Sequence, residues 1–480
     1  MVQSLIRRIL AWDGKEGAPG SGPDRYTCGT LHYTPAALAV LFGWLLWGDF
    51  TMCLMESLPG LLVMQLKDYN VSNQAIGFLM TTIFTVANTV LNPIISYSSD
   101  RTRTRWGRRR PFLMFATPFV TLFLILIPWA PQVTAALVKV SVIHKFLELF
   151  PWSPLVLVFG VLIALFQIFH MFIGSVYYYL IPDTVPEPFI GRFYGLFRVV
   201  GLVGGMLFYW FVYGKAHAHM RLVFAAFAVL YGVSFVLMCW KVREGDYPEI
   251  QEKHGHWFSP IQNYVVECFG TPRNWLIFLV YGTIMWPSAA SQFALFFYRD
   301  QIGLTEAEVG RISAVSQGAM FLLAAPFGAL VDRWGSQKAL MVGLVAGIVA
   351  SLSCFFLIHT RLMAFVLGFT QTIPVFLIFL ALAKWTVDMY PRAQYGQYGS
   401  AGAMVGALGA AIFSPLVGRL VDHLGNEYRL CWLGYPIFYG VSLICCLALS
   451  RWAKRDAPET KSTPALPADA LGQGSIKGNG

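Results

Sequence analysis

Twelve stretches of this chain are apolar enough, over enough length, to leave water, and this limits the fold more than any motif does. A helix that crosses a bilayer needs about 20 apolar residues at about 1.5 Å each. Such runs lie near 36–64, 73–98, 112–131, 153–182, 189–213, 220–241, 274–298, 307–331, 338–358, 362–390, 393–420 and 430–450. Hydrocarbon admits only structures that satisfy their own backbone groups, and runs of this length predict helices. Composition agrees: 56% of residues are hydrophobic and 12% are charged, half of the roughly 25% usual in soluble domains. Pro93, Pro287, Pro326 and Pro374 fall inside spans, where neighbouring helices satisfy the freed groups, and they predict bends.

Between the second and third runs lies Ser99-Asp100-Arg101-Thr102-Arg103-Thr104-Arg105-Trp106-Gly107-Arg108-Arg109-Arg110-Pro111, with six arginines in ten residues. Short loops rich in Lys and Arg stay on the cytoplasmic side. The excess of 35 basic over 25 acidic residues therefore reads as topology rather than as a nucleic-acid surface. An even number of spans places both termini in the cytoplasm. Residues 1–35, with Arg7, Arg8, Lys15 and Arg25 but no short apolar core, read as a polar cytoplasmic lead rather than a cleaved signal. Residues 452–480, rich in Ala, Pro, Gly and Ser, read as a disordered cytoplasmic tail. None of the eight cysteines forms a CxxC pair, so neither a disulfide framework nor a metal site is expected.

The longest polar interval, 242–273, separates a six-span half at 36–241 from another at 274–451. Such halves are the mark of carriers built from structural repeats around a midplane site. A repeat fragment supports the division. Ser99-Asp100-Arg101 and Trp106-Gly107-Arg108 follow the second span, and Gly328-Ala329-Leu330-Val331-Asp332-Arg333-Trp334-Gly335-Ser336-Gln337-Lys338 follows the eighth. An Asp at a helix end can bond the N-terminus of a neighbouring helix, while Arg or Lys reaches a facing helix end or a lipid phosphate. That makes a latch, and breaking it would free the halves to rock. The gate candidates are Asp100, Arg101, Arg105, Gly107 and Arg108 in the first copy, with Asp332, Arg333, Gly335 and Lys338 in the second. A second fragment pairs Asp183, Pro186, Gly191, Arg192 and Gly195 with Asp388, Pro391, Arg392, Gly396 and Gly399, and reads as a gate hinge.

Gly328 to Lys338 matches G-x-x-x-D-R-x-G-x-x-K, and the chain resembles the major facilitator superfamily through it. The expanded first copy is similar to that of the glycoside–pentoside–hexuronide:cation symporters and the related sucrose/proton-type solute carriers, which share R-x-G-R-R, here Arg105 to Arg109. The resemblance covers about 36–450. It implies an all-α membrane protein of twelve helices in two six-helix halves, a monomer carrying a small molecule through the lipid bilayer.

Ionisable groups inside spans are costly and are functional candidates by default. Asp49 and Glu56 in the first span are seven residues apart, two helical turns, and share a face. Trp44 and Trp47 lie beside them. A ring that stacks on a sugar's C–H face, next to a carboxylate that accepts hydroxyl bonds, is how sugars are held, although both tryptophans also suit packing or an interfacial belt. Melibiose-type members carry a sugar-contacting carboxylate in a setting similar to Gly48-Asp49-Phe50, and the resemblance carries that role to Asp49. Sodium-coupled members place two aspartates in the second span where this chain has Asn88 and Asn92. Their neutral oxygens argue against sodium but still suit sugar hydroxyls or helix contacts. A proton needs only one buried carboxylate, and Asp49 or Glu56 can serve.

Gln167 and His170 share a face of the fourth span with Gly174; His170 relays a proton, bonds a sugar, or is simply packed against one partner. Arg198, two turns into the fifth span from Arg192, matches an arginine that the family directs at the sugar and its carboxylate, which implies a charged pair with Asp49. Trp286, Ser291, Gln292 and Gln317 face either the cavity or the packed core. Lys384 and Asp388, one turn apart, read as an intrahelical pair. The family's lysine in the eleventh span is missing from the Gly- and Ala-rich 400–417. No phosphate loop, HExxH or nucleophile elbow appears, which argues against an enzyme. The expectation is proton-coupled symport of a glycoside or disaccharide in a bacterial inner membrane, without a cofactor. The alternatives are another small solute, such as a lysolipid or nucleoside, or a non-transporting assembly factor on the same fold.

Overall fold

Helix starts in this chain follow local capping chemistry. Thr34, Ser72, Ser153, Thr271 and Thr360 each accept the backbone N–H three residues on, and proline occupies the first helical position at Pro35, Pro154 and Pro272. Thr305 forms a full capping box with Glu308. A computed structural model describes residues 26–150, 152–246, 259–391 and 394–456. Arg7, Arg8, Lys15 and Arg25 of the lead, Glu249 and Lys253 of the central segment, Arg392, and the tail beyond Asp456 lie outside the described residues.

The twelve expected spans are present as helices long and apolar enough to cross a membrane: Pro35–Asp68, Asn73–Arg101, Arg110–Leu137, Pro154–Thr184, Glu187–Ala216, Met220–Lys241, Pro272–Gln301, Glu306–Trp334, Ser336–Leu357, Arg361–Met389, Tyr395–His423 and Tyr428–Trp452. They are numbered here as spans 1 to 12. Span 1 is interrupted after Glu56, since Pro59 cannot donate and opens a fresh helix. Span 7 tightens into a 3-10 segment at Trp286–Phe293, around the expected Pro287. Single π turns at Phe78–Thr82, Phe208–Val212 and Phe297–Gln301 were not foreseeable from apolar periodicity.

The last part of the lead is more than a polar tail. Tyr26–Cys28 and Leu31–Tyr33 pair as an antiparallel hairpin. The Tyr26 ring meets Phe189 edge-on at 4.9 Å, and Thr30 Oγ1 accepts the Asp246 N–H at 2.8 Å. The hairpin thus ties the start of span 5 to the segment after span 6. In the central segment a further helix, Ser259–Phe269, presents Glu267, whose carboxylate accepts from Gln394 and Gln397 at 3.1 and 2.9 Å.

The halves meet along two seams, both on the side opposite the arginine run. Spans 2 and 11 form one. Asp422 accepts the backbone N–H groups of Asn73 and Gln74 at 3.0 and 2.9 Å, capping span 2 from the other half. Close backbone approach there depends on glycine: a Cβ on Gly77 would sit 2.7 Å from Ser414 O, and one on Gly418 would sit 2.3 Å from Asn73 O. Spans 5 and 8 form the other seam, where a Cβ on Gly310 would meet Tyr209 O at 2.5 Å. His217 at this seam contacts both Asp68 of span 1 (2.7 Å) and Glu306 of span 8 (3.1 Å). One apolar core runs through the first half and across these seams into residues such as Phe293, Phe297 and Trp432. A second core, around Phe278, Ile378 and Trp385, belongs to the second half alone. The molecule is therefore sealed on one side.

Candidate functional site

Glu56 ends the first helical segment of span 1, where Pro59 breaks the ladder, and this places its side chain at the meeting point of three cavities. The largest, about 560 Å³, lies within the first half and brings Glu56 together with Asn88, Asn92, Gln167, His170 and Tyr178. The second, about 340 Å³, runs past Glu56, Ser57, Arg198, Tyr209 and Gln317 between spans 1, 5, 8 and 10. The third, about 410 Å³, leads from Glu56 past Thr81 to Ser291 and Gln292. Volumes of this size suit small organic ligands.

The expected polar residues of spans 2 and 4 do converge. Asn92 Oδ1 and Gln167 Oε1 are buried at the first cavity without a partner. Gln167 Nε2 reaches only Met80 Sδ, at 3.9 Å. His170 lines the same space, with its ring stacked on Phe166 at 5.7 Å and Nδ1 3.3 Å from the Tyr231 hydroxyl. Gln292 lines the third cavity, and its amide donates to Ser414 at 2.9 Å, so it also braces the sealed seam.

The other candidates take different places. Asp49 shares the helix face of Glu56 but is fully buried. Its Oδ1 accepts from Cys53 Sγ at 3.7 Å, and Oδ2 has no partner. Arg198 is within electrostatic reach of Asp49 and Glu56, yet the expected ion pair with Asp49 is not formed; the guanidinium lines the second cavity beside Glu56. The tryptophan platform is not assembled. Trp44 packs against the core, and Trp47 stacks on Phe50 at 5.7 Å with 42% of its surface exposed. Trp286 donates to Val405 O at 3.3 Å and packs on Phe413 and Phe438. The rings at the cavity are instead Phe84, Phe166, Tyr178 and Tyr179. The run Tyr177-Tyr178-Tyr179, two turns beyond His170, was the available signal for them.

The latch candidates form two knots, each within its own half. In the first, Arg109 is almost fully buried and bonds Asp100 at 2.5 Å, Asp183 at 3.2 Å and the Ser99 hydroxyl. Arg108 bonds both oxygens of Asp183, at 3.0 and 2.5 Å. Glu244, after span 6, accepts the backbone N–H groups of Arg108, Arg109 and Arg110 at 2.9, 3.0 and 2.8 Å, and so caps span 3 with a carboxylate. Gly107 makes room for it: its φ is +101°, and a Cβ would lie 2.5 Å from the Glu244 carboxyl. Arg101 and Arg105 are exposed at the rim. Motif spacing gave Asp100 and the arginines but not the remote partners Asp183 and Glu244, which come from the end of span 4 and the segment after span 6.

The second knot answers the first. Asp332 binds Lys384 of span 10 at 2.5 Å, and Asp388 accepts from the Ser336 hydroxyl at 2.5 Å, so Lys384 and Asp388 are not paired with each other as expected. Asp183 and Asp388 hold corresponding places at the ends of spans 4 and 10, each bonded to the loop after its half's second span. Gly335 takes φ +82° at the turn, while Arg333 and Lys338 are exposed.

The chain matches the Major Facilitator Superfamily over residues 37–414 and again over 277–477. No curated protein matches it in sequence. Its fold is similar to that of the nucleoside transporter NupG, with a TM-score of 0.61 at 16% identity over 86% of this chain and 99% of that one. A bacterial homolog of the human lysosomal transporter Spinster, in an inward-facing occupied conformation, superposes with a TM-score of 0.62 at 13% identity, over 90% and 98% of the two chains. A D-xylose–proton symporter gives 0.57 at 14%, over 86% and 96%. With twelve helices in two halves and the family matched across most of its length, this chain belongs to the major facilitator superfamily.

Proposed function

We propose that this protein is a secondary carrier that couples proton entry to uptake of a glycoside or disaccharide by alternating access, as the resemblance to the glycoside–pentoside–hexuronide:cation symporters implies. One observation carries the reading: a single carboxylate, Glu56, stands where three cavities meet, with the Arg198 guanidinium lining one of them beside it. A carboxylate accepts sugar hydroxyls and a guanidinium donates to them. When Glu56 takes up a proton the balance of charge at the site changes, and this is what couples a proton to a neutral cargo. Asp49, sealed behind Cys53, is the second carboxylate able to hold that proton. Asn88 and Asn92 bring no charge to a sodium ion, which supports a proton as the coupling ion.

With the arginine-rich face taken as cytoplasmic, the conformation is inward-open: both inter-half seams lie on the outer side. Loading from outside would require the Asp422 cap on span 2 to break. Return would reseal it while the knots around Arg109 and Asp332 hold each half rigid. Methionines and phenylalanines around the largest cavity (Met52, Met55, Met80, Phe84) favour a second reading, in which the cargo carries an apolar aglycone or is itself a small amphiphile. The setting is a cell membrane, with the chain acting as a monomer. The test is proton movement: adding the transported saccharide to proteoliposomes should alkalinise a weakly buffered outer medium. Uptake without alkalinisation would exclude proton coupling.

A further inference from the structure

A short helix, Ser141–Leu147, lies in the connection between spans 3 and 4, on the sealed side. Backbone bonds from Leu149 to Phe146 O and from Phe150 to Leu147 O, both 3.3 Å, carry its winding on to Phe150. At about 100° per residue the side chains fall into three sectors. Ser141, His144, Lys145 and Glu148 share a polar arc, on which His144 Nδ1 meets Glu148 Oε1 at 3.3 Å. Ile143 and Leu147 face the bundle and belong to its larger apolar core. Val142, Phe146, Leu149 and Phe150 fill the remaining arc, away from the polar one, and are 78%, 58%, 77% and 44% exposed. The Phe146 and Phe150 rings meet edge-on at 5.4 Å, which joins the helix to the turn after it.

Single exposed apolar residues are ordinary, but four on one arc of a connecting segment mark an interaction surface. At 150–200 Å² per side chain they expose roughly 400–500 Å² together, short of the about 800 Å² that each partner gives to a stable protein interface. Two features point to lipid instead. The segment starts at Leu137 and ends at Pro154, where spans 3 and 4 terminate, so it lies at the level of the bilayer surface. Its polar groups are gathered on a separate arc, and Lys139 and Lys145 are exposed, the pattern of a helix that lies in the interface with its cations at the headgroups. A helix of 7 residues cannot cross a bilayer, which leaves the membrane plane as its direction.

We propose that residues 138–150 form an interfacial anchor, whose Val142, Phe146, Leu149 and Phe150 side chains enter the boundary between headgroups and acyl chains of the leaflet on the sealed side. The partner is the phospholipid bilayer, and the reading is independent of the cargo. The anchor also reaches the seam between the halves. Trp152, just beyond it, has its ring 6.4 Å from that of Phe78, the first residue of the π turn in span 2. The same turn bonds the other half, since Thr82 Oγ1 donates to Ala411 O at 2.6 Å. Span 2, which must part from span 11 when the seal opens, thus rests against a segment held at the lipid surface.

The test is a depth measurement on the full-length protein in phosphatidylcholine vesicles, with a nitroxide on a non-canonical residue at Val142, Phe146 or Lys145 in turn. Collision with oxygen, which concentrates in lipid, is compared with collision with a water-soluble nickel chelate present on both sides of the membrane. The oxygen-to-nickel ratio should be several-fold higher at Val142 and Phe146 than at Lys145, as for side chains about 5–10 Å below the headgroups. With Phe146→Asp in place, the Val142 label should fall to the Lys145 ratio, because a charge is expelled from the apolar boundary. Nickel-accessible labels at all three positions would place the segment in water and overturn the proposal. Labels shielded from both reagents in vesicles, but open to nickel in nanodiscs holding one copy, would overturn it in favour of a second copy of this chain. A Val142 ratio that ignores Phe146→Asp would overturn it by showing that the bundle, not the lipid, holds the segment.

Discussion

The outer seal is where the structure permits the sharpest perturbation, because one methyl group is the difference between fit and clash. Gly418 of span 11 lies so close to span 2 that a Cβ would sit 2.3 Å from Asn73 O, whereas ordinary contact begins at 3.4 Å. Gly418→Ala therefore forces the two helix ends about 1 Å apart, because the obstacle is backbone on both sides and neither can swing aside. That displacement breaks the cap next to it, in which Asp422 accepts Asn73 Nδ2 at 2.7 Å and the N–H groups of Asn73 and Gln74 at 3.0 and 2.9 Å. Bonds to a carboxylate contribute about 1.5–3 kcal/mol each, but three to one group do not add, so the sealed state loses about 2–4 kcal/mol. That changes the ratio of sealed to open outer face by roughly 30- to 1,000-fold. The assay is a distance measurement between nitroxides on non-canonical residues at Leu149 and Leu424, both exposed and on opposite halves of the sealed side. The wild type should give one short distance, and Gly418→Ala a dominant longer one. An unchanged distribution in a folded variant would refute the claim that glycine packing holds the outer seal.

Other outcomes follow from the two knots and the misplaced tryptophans. Gly107→Ala should lower stability by about 2 kcal/mol through its positive φ and the displaced Glu244. In thermal unfolding the loss should be strongly non-additive with Glu244→Ala, since both act on the same cap; simple additivity would disprove that shared role. Arg109→Ala removes a buried guanidinium, but Asp183 keeps Arg108 and Asp100 is half exposed, so it should cost about 1–3 kcal/mol. Lys384→Ala breaks a pair whose Asp332 is 74% exposed and should cost about 0–1 kcal/mol in the same melt. Trp47→Leu should leave saccharide affinity within about twofold, as the ring lines none of the three cavities at Glu56; a loss above about tenfold would return it to the site.

Apolar run length was enough to read twelve spans and two halves, because a bilayer converts hydrophobicity directly into topology. It could not place the π turns or the Tyr26–Tyr33 hairpin, which depend on neighbours rather than on period. The site was half legible. Asn88, Asn92, Gln167 and His170 converge because a polar residue inside a span turns away from lipid and toward whatever space the bundle leaves. Sequence spacing also put Asp49 and Glu56 on one face, but it could not register that packing buries Asp49 completely while Glu56, at the break before Pro59, opens onto three cavities. The gate motifs showed where charge gathers. The carboxylates that satisfy it, Asp183 and Glu244, lie 75 and 136 residues from Arg108 along the chain, a pairing only the fold reveals.

The most direct trial of the carrier mechanism is accumulation of radiolabelled saccharides in proteoliposomes under an imposed inward proton gradient, for the wild type and Glu56→Gln. The account predicts that the gradient drives at least one saccharide above its external concentration in the wild type, and that Glu56→Gln abolishes this accumulation while still binding the sugar. Accumulation that survives Glu56→Gln, or that ignores the proton gradient, would contradict it.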